Sequence, residues 1–371
     1  MKTKYFVLLA CAVFSSALFA QDEKAEPEKK DWQWSGVVGL NASATGLVNW
    51  AAGGVNNLNG VAFGKVRLLY DKNNLSWETN LDVEYGLSFL DQKYDKFQKS
   101  SDRLDFNTKF GWAFHPTWYL TAQAGFKTQF DLGRTYTGTP DFNPVISNIL
   151  APSYTDISVG IDWKPNNIFS VYLSPVAGRI TTAYVSDALQ KRFADQYAVD
   201  ADGNGGIRDE LREKYGTWSY VQKGEGYEKR YTNAKASLGL NLKGTVNYTY
   251  KDLKVITTLS LFTPYAWDKT KLYTYNDGIY TEAWMIDKQK EDPSIDLENM
   301  AWKYRDNNQR FGNFDVDWTV AVSYQFLKCL NVTLSTDLKY YNGVLIADKE
   351  GNMAERVQFK AVLGLGVGYA F

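Results

Sequence analysis

The last fifteen residues, 357–371, constrain the fold more than any other part of the chain. Apolar side chains occupy every odd position from Val357 onward, whereas the even positions carry Gln358, Lys360 and three glycines. Because successive side chains of a β-strand point to opposite faces, this segment predicts a strand with one apolar face and one polar or small face. Such a strand suits the wall of a transmembrane barrel, between lipid and a polar lumen. An edge strand of a soluble sheet can alternate in the same way.

The first twenty residues have the features of a secretory signal peptide. Lys2 and Lys4 precede an apolar run at residues 5–14, and small residues follow as far as Ala20. This run is too short for a membrane span, so we expect a signal peptide at residues 1–20 with Gln21 as the first mature residue. The apolar run continues past Cys11, which disfavours lipidation of that cysteine.

Composition excludes some classes of partner and of fold. The chain has 41 basic and 42 acidic residues, a balance that argues against nucleic acid as a partner. Beyond the signal peptide, Cys329 is the single cysteine, so no disulfide can form within the mature chain. No stretch of eighteen apolar residues follows, and the sequence predicts no transmembrane helix.

Twelve alternating segments follow a charged tether at residues 21–31, which we expect to be disordered. In the third segment, Trp77 and Leu81 share one face, whereas Glu78, Asp82 and Glu84 share the other. The segments lie at about residues 34–46, 60–70, 75–89, 102–114, 118–130, 154–164, 168–185, 231–250, 253–265, 311–326, 330–341 and 357–371.

The connections between these segments alternate in length. Links after even-numbered segments are short turns, and links after odd-numbered segments are long, above all the one at 186–230. Short periplasmic turns, long extracellular loops and an even strand number are typical of outer-membrane barrels, and a β-sandwich would not sort its loops by end. Residues 32–371 therefore predict an all-β fold, a 12-stranded antiparallel transmembrane β-barrel in the outer membrane, with both termini in the periplasm.

The aromatic residues fit this prediction. Tyr and Trp are enriched where a membrane protein meets the membrane–water interface. Aromatic side chains cluster near the predicted strand ends: Tyr70, Trp77, Trp112, Trp118, Tyr119, Trp163, Phe169, Tyr248, Tyr250, Tyr324, Phe326 and Phe371.

The final strand resembles the last strand of bacterial outer-membrane barrels because it ends on an aromatic residue. The resemblance implies that Tyr369 and Phe371 act as an assembly signal for the barrel-insertion machinery. Outer-membrane lipid and that machinery are therefore expected partners.

Many charged side chains are predicted to face the lumen. One interpretation is a salt-bridged core that fills the barrel, and the other is a hydrated pore whose charged walls select a small polar solute. The predicted pore-lining residues are Lys65, Arg67, Glu78, Asp82, Glu84, Asp105, Lys109, Lys127, Asp156, Asp162, Asp315, Asp317, Asp337, Lys339 and Lys360.

The sequence offers no set of catalytic residues. His115, the single histidine, is predicted in a short periplasmic turn, away from the extracellular side where the barrel hydrolases place their base. Cys329 is also in a short turn without a histidine to activate it, which indicates an inert thiol. We therefore predict that the protein is not an enzyme.

The long loop contains an incomplete calcium-binding pattern. Asp200, Asp202 and Asn204 occupy positions one, three and five of an EF-hand-like loop, but position twelve is Leu211 instead of glutamate. The alternative is an acidic, glycine-bearing loop tip between two short helices, predicted at residues 187–197 and 207–215. Apart from this candidate Ca²⁺ site, no cofactor is expected.

Two segments resemble one family. Residues 48–59 are similar to an N-W-A-A-G-G-x-N signature, and residues 169–179 to an L-S-P-x-x-G-[KR] signature. Both signatures are those of the Bacteroidetes outer-membrane family known as domain of unknown function 3078. This resemblance implies an outer-membrane barrel, and the family has no established activity.

The first of these motifs also has a physical interpretation. Gly53 and Gly54 permit positive φ beside Asn49 and Trp50, so this loop could fold into the lumen as a constriction or form a packed loop cap.

As a whole, the sequence predicts passive or gated, porin-like passage of a small polar solute. The alternative is a plugged structural or surface-interaction barrel that binds a partner through its extracellular loops.

Overall fold

The computed structural model describes residues 31–45, 57–92, 94–136, 143–199, 205–305, 310–327, 330–347 and 353–370. The predicted signal peptide and all of the predicted tether except Asp31 lie outside these residues. Strands dominate the described residues, and three helices occur among them.

The strands are of two kinds: long strands, and shorter strands that lie in the connections between them. In chain order they are β1 (Trp32–Thr45), β2 (Asn57–Lys72), β3 (Leu75–Leu90), β4 (Phe97–His115), β5 (Trp118–Thr128), β6 (Gly133–Arg134), β7 (Val145–Ser147), β8 (Ser153–Trp163), β9 (Phe169–Thr182), β10 (Trp218–Lys223), β11 (Gly226–Tyr231), β12 (Ala234–Tyr250), β13 (Leu253–Pro264), β14 (Lys271–Tyr275), β15 (Gly278–Thr281), β16 (Trp302–Tyr304), β17 (Asp315–Leu327), β18 (Leu330–Tyr340), β19 (Leu345–Ala347), β20 (Met353–Glu355) and β21 (Gln358–Ala370). The helices are α1 (Asp187–Arg192), α2 (Gly206–Lys214) and α3 (Glu282–Glu291).

Twelve long strands close into one barrel. Their order around the barrel is β1-β2-β3-β4-β5-β8-β9-β12-β13-β17-β18-β21, and each pairs antiparallel with its neighbours. The ring closes where β1 pairs with β21, from Val37 opposite Ala370 to Asn41 opposite Gly366. The predicted 12-stranded antiparallel barrel is confirmed, and each strand overlaps its predicted segment.

The two ends of the barrel differ. Tight turns join β2 to β3, β4 to β5, and β12 to β13 at one end, where Asn73 and Lys251 adopt φ values of 53° and 49°. Positive φ at such positions is typical of tight hairpin turns. The long connections all lie at the opposite end, which we call the long-loop end, in contrast to the short-turn end.

The outer surface of the barrel is apolar. Large side chains such as Leu40, Leu81, Ile157 and Leu363 point away from the lumen and are exposed. Aromatic residues gather where the short turns begin: the ring centroids of Trp32 and Tyr70 are 4.9 Å apart, those of Trp118 and Trp163 6.1 Å, and those of Trp163 and Phe169 6.0 Å. An apolar exterior of this extent favours lipid over water as its surroundings.

A folded unit lies at the long-loop end. This unit, which we call the cap, comprises residues 143–152, 183–199 and 205–217. Its core holds Val145, Phe193, Tyr197, Ile207 and Leu211, all buried together. The helices predicted on either side of the calcium-like loop are confirmed as α1 and α2, although α1 ends at residue 192 and not at 197.

A second unit is formed by residues of two connections, from β9 to β12 and from β13 to β17. Strands β10, β11, β15, β14 and β16 make a separate five-stranded sheet, against which α3 packs. Tyr273, Met285 and Ile295 form its small core. Within the part of the chain that the structure describes, none of the helices has the length and apolar character that a membrane span requires.

Candidate functional site

The strand register gathers the predicted lumen charges on one face of the barrel wall. Cross-strand partners lie on the same face, and the register aligns Lys65 with Asp82, Asp82 with Asp105, and Asp105 with Lys127. Further round the barrel, it aligns Asp156 with Arg179, Asp317 with Lys339, and Asp337 with Lys360. The large apolar side chains that alternate with these residues are exposed on the opposite face, so the charges line the lumen side.

Arg179 is the centre of an ion-pair cluster that joins three strands. Its Nε donates to Asp156 Oδ1 at 2.7 Å, and its Nη1 donates to Asp315 Oδ2 at 2.9 Å. The guanidinium also lies 4.8 Å from the centroid of the Phe262 ring. Because Asp156 and Asp315 are on β8 and β17, one side chain links distant parts of the wall.

The same cluster reaches the loop after β18. Asn342 donates its backbone N–H to Asp315 Oδ1 at 2.9 Å, and its side chain donates to the same oxygen at 3.1 Å. Tyr341 donates to Asp317 Oδ2 at 2.5 Å. The loop at the long-loop end is therefore tied to the wall by carboxylates from one strand, β17.

The cap lies directly above this cluster. Tyr215, at the end of α2, lines a small pocket together with Tyr154, Arg179, Tyr341 and Val344. Its hydroxyl donates to the backbone carbonyl of Ile146 at 2.6 Å, which joins two segments of the cap. Burial raises the pKa of the Tyr215 hydroxyl, so this group stays a neutral donor at physiological pH.

Lys214 is the neighbouring charged residue of the cap. Its Nζ lies 5.6 Å from the centroid of the Tyr215 ring. Burial lowers the pKa of the Lys214 ammonium to about 8, although Glu210 acts in the opposite direction. A cation is thus held in the cap at neutral pH against the cost of its own desolvation.

A second ion-pair cluster lies toward the short-turn end. Asp162 is fully buried, accepts a hydrogen bond from Lys109 Nζ at 2.5 Å and lies 3.4 Å from Lys164 Nζ. Lys109 also lies 5.6 Å from the centroid of the Tyr172 ring. Two cations thus neutralise one carboxylate, and the cluster carries a net positive charge.

Other predicted lumen residues are also paired. Arg67 makes a two-pronged contact with Glu78, with both N–O distances at 3.0 Å. Asp82 lies 3.2 Å from Arg103 and 3.8 Å from Lys65. Two further ion pairs are Lys339 with Asp317 at 4.0 Å and Lys360 with Glu84 at 3.9 Å. The Ser101 hydroxyl also donates a hydrogen bond to Glu84.

Hydroxyl and amide groups lie among the charged residues on the opposite wall. Across β12, β13, β17 and β18, Thr245 and Thr258 hydrogen-bond at 3.4 Å, Ser323 and Thr333 at 3.3 Å, and Asn241 donates to Ser260 at 3.2 Å. These strands therefore combine uncharged polar groups with charged residues such as Asp317 and Lys339.

A polar cavity of about 120 Å³ lies between these walls. Residues of β4, β5, β8, β9, β12, β13 and β17 line it, and they include Lys127, Arg179 and Lys243. A cavity of this size with polar walls has room for several water molecules, so the lumen is not filled completely by side chains at this level.

Sequence reasoning missed several lumen residues. Lys243 lies between Asn241 and Thr245 in the two-residue alternation of segment eight, so this alternation could have identified Lys243 as a lumen residue. Arg103 likewise alternates with Leu104 in segment four. Tyr341 had no such signal, since it lies beyond the end of β18 and reaches Asp317 only through the fold of the loop.

Some predicted residues lie outside the described part of the chain. These are Asn49, Trp50, Gly53 and Gly54 of the loop motif, Asp200, Asp202 and Asn204 of the calcium-like loop, Cys329, and Phe371. Tyr369 has a described place in β21, opposite Val38 of β1. Among the described residues, no group of three or more His, Cys, Asp or Glu side chains is arranged to hold a metal ion.

His115 lies at the predicted short turn. Its Nδ1 is 3.3 Å from Thr117 Oγ1 and 3.4 Å from the Thr117 backbone nitrogen. These contacts are local to the turn between β4 and β5, so they serve the turn itself.

Comparison with solved structures finds similar barrels at low sequence identity. An outer-membrane channel from Pseudomonas putida F1 is 9% identical with a TM-score of 0.37, over 95% of this chain and 99% of that one. The translocator domain of the autotransporter NalP from Neisseria meningitidis is 8% identical with a TM-score of 0.36, over 99% and 96%. The NanC porin is 8% identical with a TM-score of 0.31, over 91% and 98%.

Comparison at the sequence level finds one family. No curated protein matches the chain. The profile of a family described as protein of unknown function (DUF3078) matches residues 42–133. The matched range contains the first of the two motifs, at residues 48–59, and the predicted resemblance to that family is confirmed over this part of the chain.

Proposed function

We propose that this protein is an integral outer-membrane barrel that controls the passage of small polar solutes. In this proposal the signal peptide is removed after Ala20, and the insertion machinery reads Tyr369 and Phe371. The long-loop end then faces the exterior of the cell, as in other barrels with short periplasmic turns. The apolar outer surface of a closed barrel supports the membrane location, since closure leaves no unpaired strand edge in lipid.

One observation carries the transport proposal: a polar cavity lies beneath the loop after β18 and the cap, and a few polar contacts attach that loop to the wall. Arg179, Asp315 and Asn342 make the central contacts, and we refer to these three residues as the latch. Tyr215 lines the pocket above the latch. In this proposal the loop after β18 and the cap above it close the lumen, so passage requires this loop to move.

The residues of the lumen indicate which solutes would pass. The charged, hydroxyl and amide groups of the lumen all offer hydrogen bonds, and a solute that enters must exchange water for these groups. Most lumen charges are already paired, so the lumen does not present a field of one sign to a solute. This arrangement favours controlled passage over a permanently open, one-sided charged channel.

Single-channel recording in a planar bilayer tests this proposal. We expect the refolded wild-type barrel to open rarely, and Arg179→Gln or Asp315→Asn to increase open time by weakening the latch. Arg230→Gln is the matched control, because Arg230 is exposed on β11, outside the barrel. If all four proteins fold into heat-modifiable barrels and none passes current, the transport proposal is wrong.

The five-stranded sheet supports a second candidate function. It has its own core around Tyr273, Met285 and Ile295, and a folded unit of this kind exceeds what a simple loop requires. Its neighbourhood also presents Trp267, which is 66% exposed and whose ring centroid lies 4.5 Å from that of Phe311 in a tilted arrangement. A barrel that is permanently closed could display this surface to a partner. Latch variants that fold but never conduct would favour this function.

Calcium binding in the long loop remains a proposal. In the described part, Asp209 Oδ2 accepts a hydrogen bond from the Gly205 backbone N–H at 2.7 Å, and Leu211 is buried in the cap core. Asp200, Asp202 and Asn204 would have to supply the ligands. Limited proteolysis with and without millimolar calcium tests this, and a loop cut at the same rate in both conditions would contradict it.

A further inference from the structure

We infer that the central lumen cavity is a binding site for a small oxyanion, held by Lys127 and Lys243. This inference rests on the proposed function, because it assumes that solutes reach the lumen. It adds a solute class, namely molecules that carry a carboxylate or phosphate group.

The two lysines approach one cavity from different parts of the wall. Lys127 is on β5 and Lys243 on β12, with β8 and β9 between them in the barrel. Both line the cavity of about 120 Å³. Lys243 is aligned with Tyr172 on one side and Ser260 on the other, so neither direct cross-strand neighbour supplies a carboxylate.

Within the described part of the chain, neither ammonium group has a hydrogen bond or an ion pair. This sets them apart from Lys109, Lys339 and Lys360, which have carboxylates within 4.0 Å. An ammonium group away from bulk water is costly unless it is paired or solvated. Asp105, Asp156 and Asp317 act on the charge of Lys127 from beyond ion-pair distance. The cavity leaves space in which a ligand can approach both ammonium groups more closely.

Two carboxylates that line the cavity also have other partners. Asp156 accepts from Arg179 at 2.7 Å. Asp317 accepts from Tyr341 at 2.5 Å and lies 4.0 Å from Lys339. Asp105 is aligned with Lys127 on the neighbouring strand, but the two side chains do not form an ion pair in the structure. The cavity lining therefore holds three cationic side chains, Lys127, Arg179 and Lys243, against two carboxylates, Asp156 and Asp317, and this excess of positive charge favours an anion.

Uncharged donors complete the site. Gln123 and Asn107 contribute amide groups to the cavity, and Ser158 contributes a hydroxyl. Ammonium, amide and hydroxyl donors together suit the several oxygen atoms of a carboxylate or phosphate group. The cavity can hold a phosphate ion or a short carboxylate, with water filling the remainder.

Calorimetric titration of the refolded mature chain in detergent tests the site, with inorganic phosphate and succinate as separate probes in chloride buffer. We expect saturable binding of at least one probe. Lys127→Gln and Lys243→Gln should each weaken that binding at least tenfold. Lys223→Gln removes the same charge outside the barrel, where the side chain is 74% exposed, and should bind as the wild type does. Heat modifiability on gels checks that each variant has folded.

The two probes and the separate readouts distinguish the outcomes. Binding of phosphate alone assigns the site to phosphate groups, and binding of succinate alone assigns it to carboxylates. If the folded wild type binds neither probe, or if both lysine variants bind as tightly as the wild type, the inference is wrong. Binding without any bilayer current would support the anion site and contradict the transport proposal. Current without binding would support the transport proposal and contradict the anion site.

Discussion

At the scale of single residues, Asp162 illustrates how the barrel keeps a charge inside its wall. Its side chain has no exposed surface, and the ammonium groups of Lys109 and Lys164 lie 2.5 Å and 3.4 Å away. In a medium of low dielectric constant, each charge of such a cluster depends on the others. The cluster is therefore more sensitive to the loss of one member than to the loss of a whole pair.

We expect Asp162→Asn to destabilise the barrel strongly, because it leaves Lys109 inside the wall without its carboxylate. The expected loss in the free energy of unfolding is about 3 kcal/mol, measured by urea denaturation in lipid vesicles. The double variant Asp162→Asn with Lys109→Gln should regain much of this loss. A double variant that is less stable than Asp162→Asn would show that charge pairing is not the cause.

Lys214 gives the cap a pH dependence. Its pKa is lowered to about 8 from a usual value of 10.5, so the unfolded cap binds more protons than the folded cap between these values. Stability therefore rises as the pH increases from about 8 toward 10.5. At neutral pH, where the charge is retained, Lys214→Met should make the cap more stable than in the wild type.

The comparison of chymotrypsin cleavage rates for wild type and Lys214→Met tests this pH dependence. At pH 7 the wild-type cap should be cut faster than the variant cap. The ratio of the two rates should fall toward one as the pH approaches 10, and use of the ratio removes the pH dependence of the protease itself. A ratio that is constant over this range would contradict the role of Lys214.

The sequence alone could predict which residues face the lumen but not their partners. Strict alternation is enough to put Asp156 and Asp315 on inner faces, because the inside and outside of a barrel differ at every step. The pairing of Arg179 with Asp315 spans 136 residues. It depends on strand register and barrel closure, which the period of one segment does not contain.

At the scale of elements, the strands around β9 are interrupted by irregular pairing. The register shifts between Val159 and Ile161 on β8, and between Gly239 and Asn241 on β12. At Gly160, which lies in the first shift, an added Cβ would overlap the Leu173 carbonyl oxygen and approach Ser174 Cα to 2.6 Å. The bulge brings two backbones so close that this position requires glycine.

We expect Gly160→Ala to lower the free energy of unfolding by roughly 1–3 kcal/mol, since the backbone of β9 must shift to accept the methyl group. Gly244→Ala on β12 is the matched control, because a Cβ there meets no atom within 4 Å. Urea denaturation of both variants measures the difference. Equal stability of the two variants would show that the bulge can open without cost.

Elements with a regular period were predictable, and the others were not. All twelve barrel strands follow the two-residue alternation, which predicted them to within a few residues. The short strands β6 and β7 and the five-stranded sheet have no lipid-facing side, so their sequences carry no comparable pattern. Their structure depends on packing around side chains such as Phe193 and Met285, which single-segment patterns do not predict.

At the scale of the whole molecule, the barrel is strongly asymmetric. One end has tight turns ringed by aromatic side chains, and the other carries the cap and the five-stranded sheet. Insertion in one direction exposes the cap to the exterior of the cell, and insertion in the other direction would put it in the periplasm. The proposed function requires the first orientation, because the latch then controls entry from outside.

Cysteine labelling on intact cells tests this orientation, in a Cys329→Ala background. Asp277 is exposed in the turn between β14 and β15 at the long-loop end, and Asp252 is exposed in the turn between β12 and β13 at the short-turn end. We expect a membrane-impermeant maleimide to label Asp277→Cys but not Asp252→Cys, because the outer membrane shields the periplasmic turn. Permeabilisation of the outer membrane should make both positions reactive. The reverse pattern on intact cells would place the cap in the periplasm, where the latch could not control entry from the exterior.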